Sequence, residues 1–228
     1  MNSIQWLKEI PKKNKSRTFI VDEVTGEELT FGGLHEFSCS IANQLSNLKF
    51  KKNDKICVLL PNSLDCVKFY FACLYSGIVV VPIPITSTNN EIQQILLKSN
   101  AKSILLDNKS SSKSIIEICK QTKTKVLTFG NPNNKTKSII HLDRKLNKNK
   151  FIPFRNVSLN DPIVIIYTSG TTSEPKAVVH SFQNIIDNAR YFGKEIHITK
   201  RNRFFNILSL MYLGGYYNLL LLPYVCEA

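Results

Sequence analysis

The chain has 228 residues, 43% of them hydrophobic and 21% charged. That balance excludes wholesale disorder, a collagen-like repeat and a disulfide scaffold, and the length allows one large domain that buries roughly 70–75% of the unfolded surface. Thirty basic against 17 acidic residues leave a net charge of +13, which by itself suggests nucleic acid, an anionic surface or a phosphorylated ligand.

The make-up of that charge redirects the reading. Twenty-four of the basic residues are Lys and six are Arg, and they accompany 22 Asn. A Lys/Asn habit spread over loops accounts for this pattern, and Arg, the usual reader of base edges, is scarce, so no specific nucleic-acid partner is expected. Six cysteines (Cys39, Cys57, Cys66, Cys73, Cys119 and Cys226) form no CxxC pair and read as buried free thiols of a reducing compartment. Met1 to Lys15 mixes apolar residues with charges, unlike a signal peptide, and no run reaches the ~18 apolar residues of a membrane span. A cytoplasmic protein without a membrane span is the expectation.

In chain order, Ile4 to Ile10 is a short helix candidate. Arg17 to Asp22 and Leu29 to Phe31, joined through Thr25-Gly26, predict a hairpin. Leu34, Phe37, Ile41, Leu45 and Leu48 fall at spacings of three and four, one face of a helix over 34–48. Ile56 to Leu60 is a buried-type strand. Asn62 or Ser63 can cap a helix that runs to Gly77, and Ile78 to Ile83 follows as a Val-rich strand. Helix Asn90 to Ser99, strand Ser103 to Leu106, helix Ser112 to Thr122 and strand Lys125 to Phe129 continue the alternation. Apolar strands separated by helices predict an α/β fold, a mostly parallel sheet covered by helices.

Residues 131–160 break the rhythm with Asn and Lys and read as a surface excursion, Ile139-Ile140 alone suggesting order. Ile163 to Tyr167 is a strong strand, Val178-Val179 resembles another, and Ser181 can cap a helix through Ile185, Ile186 and Ala189.

Between those two strands lies the segment with sharp chemical content, Tyr167-Thr-Ser-Gly-Thr-Thr-Ser-Glu-Pro-Lys-Ala-Val-Val-His180. Thr168, Ser169, Thr171, Thr172 and Ser173 place five hydroxyls around Gly170, and Lys176 follows Pro175. Neutral donors, open backbone N–H groups and one cation suit a polyphosphate, and Gly170 lets the backbone come close to an anion. The segment is not a Walker A loop: Pro175 replaces the second Gly, Ala177 stands where Ser or Thr would meet magnesium, and a strand follows instead of a helix. The bland alternative is a polar hairpin turn.

This segment resembles the phosphate-binding signature of the adenylate-forming superfamily, which includes acyl-CoA synthetases, adenylation domains of nonribosomal peptide synthetases, and luciferases. In that family the pattern reads Tyr-Thr-Ser-Gly-Thr-Thr-Gly-x-Pro-Lys-Gly-Val, with His and Asn-Ile or Asn-Leu after it, the places of His180 and Asn184-Ile185. Leu29-Thr30-Phe31 to Leu34, Val58 to Asn62 and Tyr75 to Ile83 are similar to further motifs of the family in the same order. The resemblance implies an incomplete large N-terminal domain over residues 1–228. It also implies a two-step reaction, in which a carboxylic acid attacks the α-phosphate of ATP to give an acyl adenylate and a thiol then takes the acyl group. ATP with Mg2+ is implied, and the acceptor would be CoA or the phosphopantetheine of a carrier protein. Thr168, Ser169, Gly170, Thr171, Thr172 and Lys176 would bind the phosphates, a matter of charge stabilised by positioned donors.

The sequence departs from the family pattern at several points. Ser173 and Ala177 replace glycines, so a positive φ at Ser173 would cost about 1 kcal/mol. Leu210-Met-Tyr-Leu-Gly-Gly215 is similar to the family's Pro-x-x-His-x-x-Gly, with Tyr212 where a His commonly lines the acid pocket. Tyr212 and Gly214 are the candidate substrate contacts, Tyr212 being open to the alternative of a packed aromatic. The family's later adenine, ribose and catalytic-lysine motifs have no counterpart before Ala228, so no catalytic residue is assigned and the C-terminal domain is expected to be absent. A truncated non-catalytic fragment or nucleotide-binding module is the second reading, and a basic nucleic-acid binder the third. Leu219 to Cys226 is an apolar stretch that needs a cover. His35, His141 and His197 lack metal spacing and read as packing or surface residues.

Overall fold

The computed structural model describes residues 3–107, 112–130, 139–146, 157–168 and 176–228. After α1 (Ser3–Lys13), β1 (Thr18–Val21) and β2 (Glu28–Thr30) pair antiparallel as a separate two-stranded sheet. Then come α2 (Phe31–Asn47), β3 (Lys55–Leu59), α3 (Leu64–Ser76), β4 (Val79–Pro82), α4 (Asn89–Ser99), β5 (Ser103–Leu106), α5 (Lys113–Gln121) and β6 (Lys125–Phe129). β7 (Ile139–Leu142), β8 (Pro162–Thr168), β9 (Lys176–Ser181) and α6 (Phe182–Glu195) follow, and a π-helix over Gly214–Leu221 runs into the single turn α7 (Leu222–Val225).

β3 to β9 form one seven-stranded sheet in the order β7-β6-β5-β3-β4-β8-β9. The pairs up to β8 are parallel and the β8–β9 pair is antiparallel. Alternate side chains feed two cores, as a pleat requires. Ile56, Val58, Val80, Leu105, Leu127, Val164 and Ile166 face the larger one. Cys57, Leu59, Val79, Val81, Ile104, Leu106, Val126 and Ile165 face the smaller one beneath α4 and α5. Burial on both faces explains why these strands read as unbroken apolar runs.

Local chemistry sets the helix ends. The hydroxyls of Thr30, Ser63, Thr88, Ser112 and Ser181 each accept a backbone N–H of the first turn, and Thr88 with Glu91 completes a capping box. Thr30 caps α2 so that the helix begins at Phe31, three residues before its first periodic leucine, and it is longer than the spacing over 34–48 predicts. Ser63 takes the cap of α3 and leaves Asn62 free for other bonds. α3 ends on Gly77 at φ +69°, the left-handed conformation that glycine adopts without strain.

One expectation needs correction and another is met. Part of the stretch read as a surface excursion, residues 139–142, is β7, the edge strand parallel to β6. The apolar stretch near the end is covered by the chain itself: Leu220, Leu221, Leu222, Tyr224 and Val225 are buried. Tyr224 packs among Phe19, Phe31 and Phe71, with ring centroids 5.3, 5.5 and 4.6 Å away. Glu227 beyond it meets Asn14 at 2.7 Å and Lys200 at 2.9 Å, and its carbonyl accepts the Arg17 guanidinium.

Candidate active site

Because β3 to β8 run parallel, their carboxyl ends share one edge of the sheet, the side on which open α/β sheets bind ligands. At that edge β8 delivers Thr168, and β9 leaves again from Lys176. The register places Thr168 opposite Lys176, Tyr167 opposite Ala177 and Val164 opposite His180. The Thr168 hydroxyl donates to the Lys176 carbonyl at 3.4 Å, closing the mouth of the hairpin. Of the expected phosphate ligands, Ser169, Gly170, Thr171 and Thr172 lie outside the described residues, as does Ser173. Ala177 takes a regular strand position, so its place needs no glycine.

The two stems of the hairpin differ. Ile163 to Ile166 of β8 are buried, whereas Lys176 to Val179 of β9 are exposed. Lys176 therefore enters the site from solvent, as a cation meant for a soluble ligand would. Burial pushes the Tyr167 phenol up and the His180 imidazole down, so both are neutral near pH 7 and Lys176 is the charged residue among the described ones of the hairpin. Among the described residues, no group of three His, Cys, Asp or Glu could hold a metal. Thr168 and Lys176 suit phosphate oxygens, and with Glu174 as the segment's one acidic residue Mg2+ would come as part of the nucleotide complex.

The second expected contact region stands apart in sequence. Tyr212 is 51% exposed; its N–H donates to the Ser209 carbonyl at 3.2 Å, and its own carbonyl accepts the Tyr216 N–H at 3.0 Å. The packed aromatic is Tyr216, edge-on to Tyr70 with centroids 5.1 Å apart, so Tyr212 is not a core residue. Gly214 opens the π-helix, and a Cβ there would touch Leu208 Cδ1 at 3.2 Å.

Asn62, read from the sequence as a cap candidate and as the end of a family-like strand motif, ties the second region to β3. Asn62, just past β3, donates from Nδ2 to the Leu208 carbonyl at 2.8 Å, and its Oδ1 accepts the Leu210 N–H at 2.8 Å. Its signal was the Pro61-Asn62 pair after a strand, but its partners are 146 and 148 residues away.

The remaining histidines pack or turn, as expected. His35 lies against Cys39 and Tyr75, burial pushing its imidazole down, and His141 Nδ1 meets Thr128 Oγ1 at 3.0 Å. His197, at φ +56°, turns the chain after α6.

The parallel sheet and the β8–β9 hairpin at its carboxyl edge, with Lys176 the cation among the hairpin's described residues, make an α/β domain of the adenylate-forming type. A family model of AMP-binding enzymes matches residues 7–227, and the chain belongs to that family. It is 27% identical over 191 residues to a 2-succinylbenzoate–CoA ligase of Oceanobacillus iheyensis, covering 83% of this chain and 36% of that protein. It thus spans about a third of the length of such curated relatives. Among solved structures, VinN in complex with L-aspartate superposes with a TM-score of 0.82 at 19% identity, covering 99% of this chain and 55% of that one. The anthranilate CoA ligase AuaEII in complex with anthranoyl-AMP gives 0.82 at 16% identity over 100% of this chain and 44% of its own. These likenesses show the fold.

Proposed function

We propose that this chain is the N-terminal portion, residues 1–228, of the AMP-binding domain of an acid–thiol ligase that activates a carboxylic acid with MgATP and passes the acyl group to a thiol. The observation that carries the reading is the β8–β9 hairpin, with Thr168 and Lys176 paired at its mouth on the carboxyl edge of the sheet. Family membership and the CoA-ligase relatives support the reaction class.

In this reading Thr168, Ser169, Gly170, Thr171, Thr172 and Lys176 hold the β- and γ-phosphates, and Lys176 balances charge that grows as pyrophosphate leaves. Mg2+, held by the phosphates, supplies further neutralisation of that charge. The attacking carboxylate forms a bond to the α-phosphorus as the bond to the bridging oxygen of pyrophosphate breaks. Tyr212 and Gly214 line the acid pocket, Tyr212 offering a phenol edge in place of an imidazole. CoA or a carrier protein's phosphopantetheine accepts the acyl group, and the ligase works in the cytoplasm, in keeping with its free cysteines.

The test is acid-dependent exchange of labelled pyrophosphate into ATP by the natural gene product, across fatty, aryl and amino acids. Exchange stimulated by one acid class is expected; none with any class, in a folded protein that MgATP fails to stabilise against heat, overturns the proposal.

A further inference from the structure

We propose that Asn62 is a positioning residue that sets the place of Tyr212, and through it acid selectivity, by clamping the segment between Leu208 and Leu210; this rests on the pocket role given to Tyr212 above. A primary amide that donates to one carbonyl and accepts from the N–H two residues on copies the bonding of a neighbouring β-strand. Asn62 does this to Leu208 and Leu210, both at 2.8 Å. It thereby replaces a strand where the sheet offers none.

The far side of the same segment is fixed as well. The Tyr70 hydroxyl, on α3, donates to the Leu210 carbonyl at 3.2 Å. The Ser209 backbone lies directly on Gly215, where a Cβ would come within 2.6 Å of its carbonyl carbon. The Ser209 carbonyl then accepts the Tyr212 N–H, so the turn that presents Tyr212 is built on the piece of chain that Asn62 holds. Around it Phe205, Ile207, Leu208 and Tyr212 are all exposed, at 70, 74, 45 and 51%. Leu210 and Met211, buried at 3 and 1%, anchor the run to the larger core, and hydrogen bonds set the exposed residues on either side of them. Of the groups that fix the segment, Asn62 is the one at the carboxyl end of β3, on the edge where β8 delivers Thr168. A shift there moves Tyr212 relative to Thr168.

Two variants separate the parts of the clamp. Asn62→Ala removes both bonds. Asn62→Asp keeps the acceptor for Leu210 N–H but sets a carboxylate oxygen against the Leu208 carbonyl, so it should fail as well, and Asn62→Gln tests reach without changing chemistry. The first readout needs no activity: hydrogen–deuterium exchange at the Leu210 amide should speed up by about tenfold in Asn62→Ala, with the amides of β3 and α3 unchanged. The second is pyrophosphate exchange by the natural gene product. There, KM for the acid should rise about tenfold while KM for ATP stays within about twofold, the split expected when one substrate's wall moves.

An unchanged Leu210 exchange rate, or equal rises in both KM values, overturns the proposal. Absence of pyrophosphate exchange in the unaltered protein would instead bring down the ligase reading, and faster Leu210 exchange would then leave the clamp standing as a structural device without its selectivity role.

Discussion

Gly215→Ala sets local propensity against tertiary contact, and the structure decides the sign. Gly215 lies within the π-helix, where alanine in place of glycine would ordinarily gain up to about 1 kcal/mol. Here the new methyl would stand 2.6 Å from the Ser209 carbonyl carbon and 3.0 Å from Leu210 N, and nearer still to the Ser209 oxygen. Ordinary carbon contacts lie at about 3.5–4.0 Å, so the 209–210 backbone must retreat by about 1 Å. That backbone is tied by the bonds of Leu210 to Asn62 and Tyr70, and each would stretch out of range at a loss of about 1 kcal/mol. Without retreat, overpacking costs about 1–3 kcal/mol. Either route leaves a net destabilisation centred on about 1 kcal/mol after the propensity gain, or a fall in Tm of about 2–4 °C at this chain length. Calorimetry of the variant beside the unaltered protein measures it. A Tm equal to or above the unaltered value would refute the reasoning, because it would mean that the 209–210 segment yields freely and that Asn62 holds nothing.

Three further outcomes are expected. Lys176→Ala should weaken MgATP binding by about tenfold or more, the usual worth of a charge-assisted phosphate contact, while leaving Tm without ligand unchanged because the side chain is exposed; isothermal titration and melting separate the two. Stability should fall with acid in two stages. His35 and His180 are held neutral by burial, so below about pH 6.5 the unfolded chain takes protons first and stability declines. The backbone N–H of Thr25 holds Asp22 low and that of Thr88 holds Glu91 low. For Glu227 burial raises the pKa, but Lys200, Asn14 and Arg17 outweigh it and leave the carboxyl low. The stabilisation from these three carboxylates is complete above about pH 4.5 and is lost as they protonate below it, so urea midpoints that rise on going from pH 7 to pH 4 would contradict both assignments. Burial pushes the thiols of Cys39, Cys57 and Cys66 up to about 12, which leaves a thiolate fraction on the order of one in ten thousand at pH 8; a native protein in which any of these three is alkylated as fast as free cysteine would count against the packing described.

Most elements were legible because their signals are local. Strand Ser103 to Leu106 and strand Lys125 to Phe129 begin and end where the apolar runs do, and Ser63, Gly77 and Ser181 act as the cap chemistry predicts. The strand order was not legible, since nothing in β5 says that it lies between β3 and β6. β7 was lost in its Lys/Asn surroundings: it is only four residues long, three of them apolar, and their pairing with β6 is a tertiary fact. The apolar stretch at 219–226 could be recognised as needing cover, but not that Phe19, Phe31 and Phe71 provide it. The hydroxyl-rich segment between β8 and β9 was legible as a candidate because its composition is unusual over many consecutive residues. Asn62 was not, because an amide after a strand has a satisfactory local use as a cap and its real partners are far along the chain.

The unequal stems of the β8–β9 hairpin suggest how the site divides its labour. β8 is a buried central strand whose side chains enter both cores, so the position of Thr168 is fixed by the same packing that holds the fold together. β9 is an edge strand held by its ladder to β8, with Val178 and Val179 exposed at 42 and 57%. Thr168 is thus set by the core, and Lys176 by six register pairs with no side-chain burial at Lys176 to Val179. Substitutions in β8 should therefore act first on stability, and those in the exposed part of β9 on ligand binding. On the proposed role, a charge that follows departing pyrophosphate is better placed on the less encumbered stem, because reorganising it disturbs no packed side chain, while Thr168 remains on the rigid one.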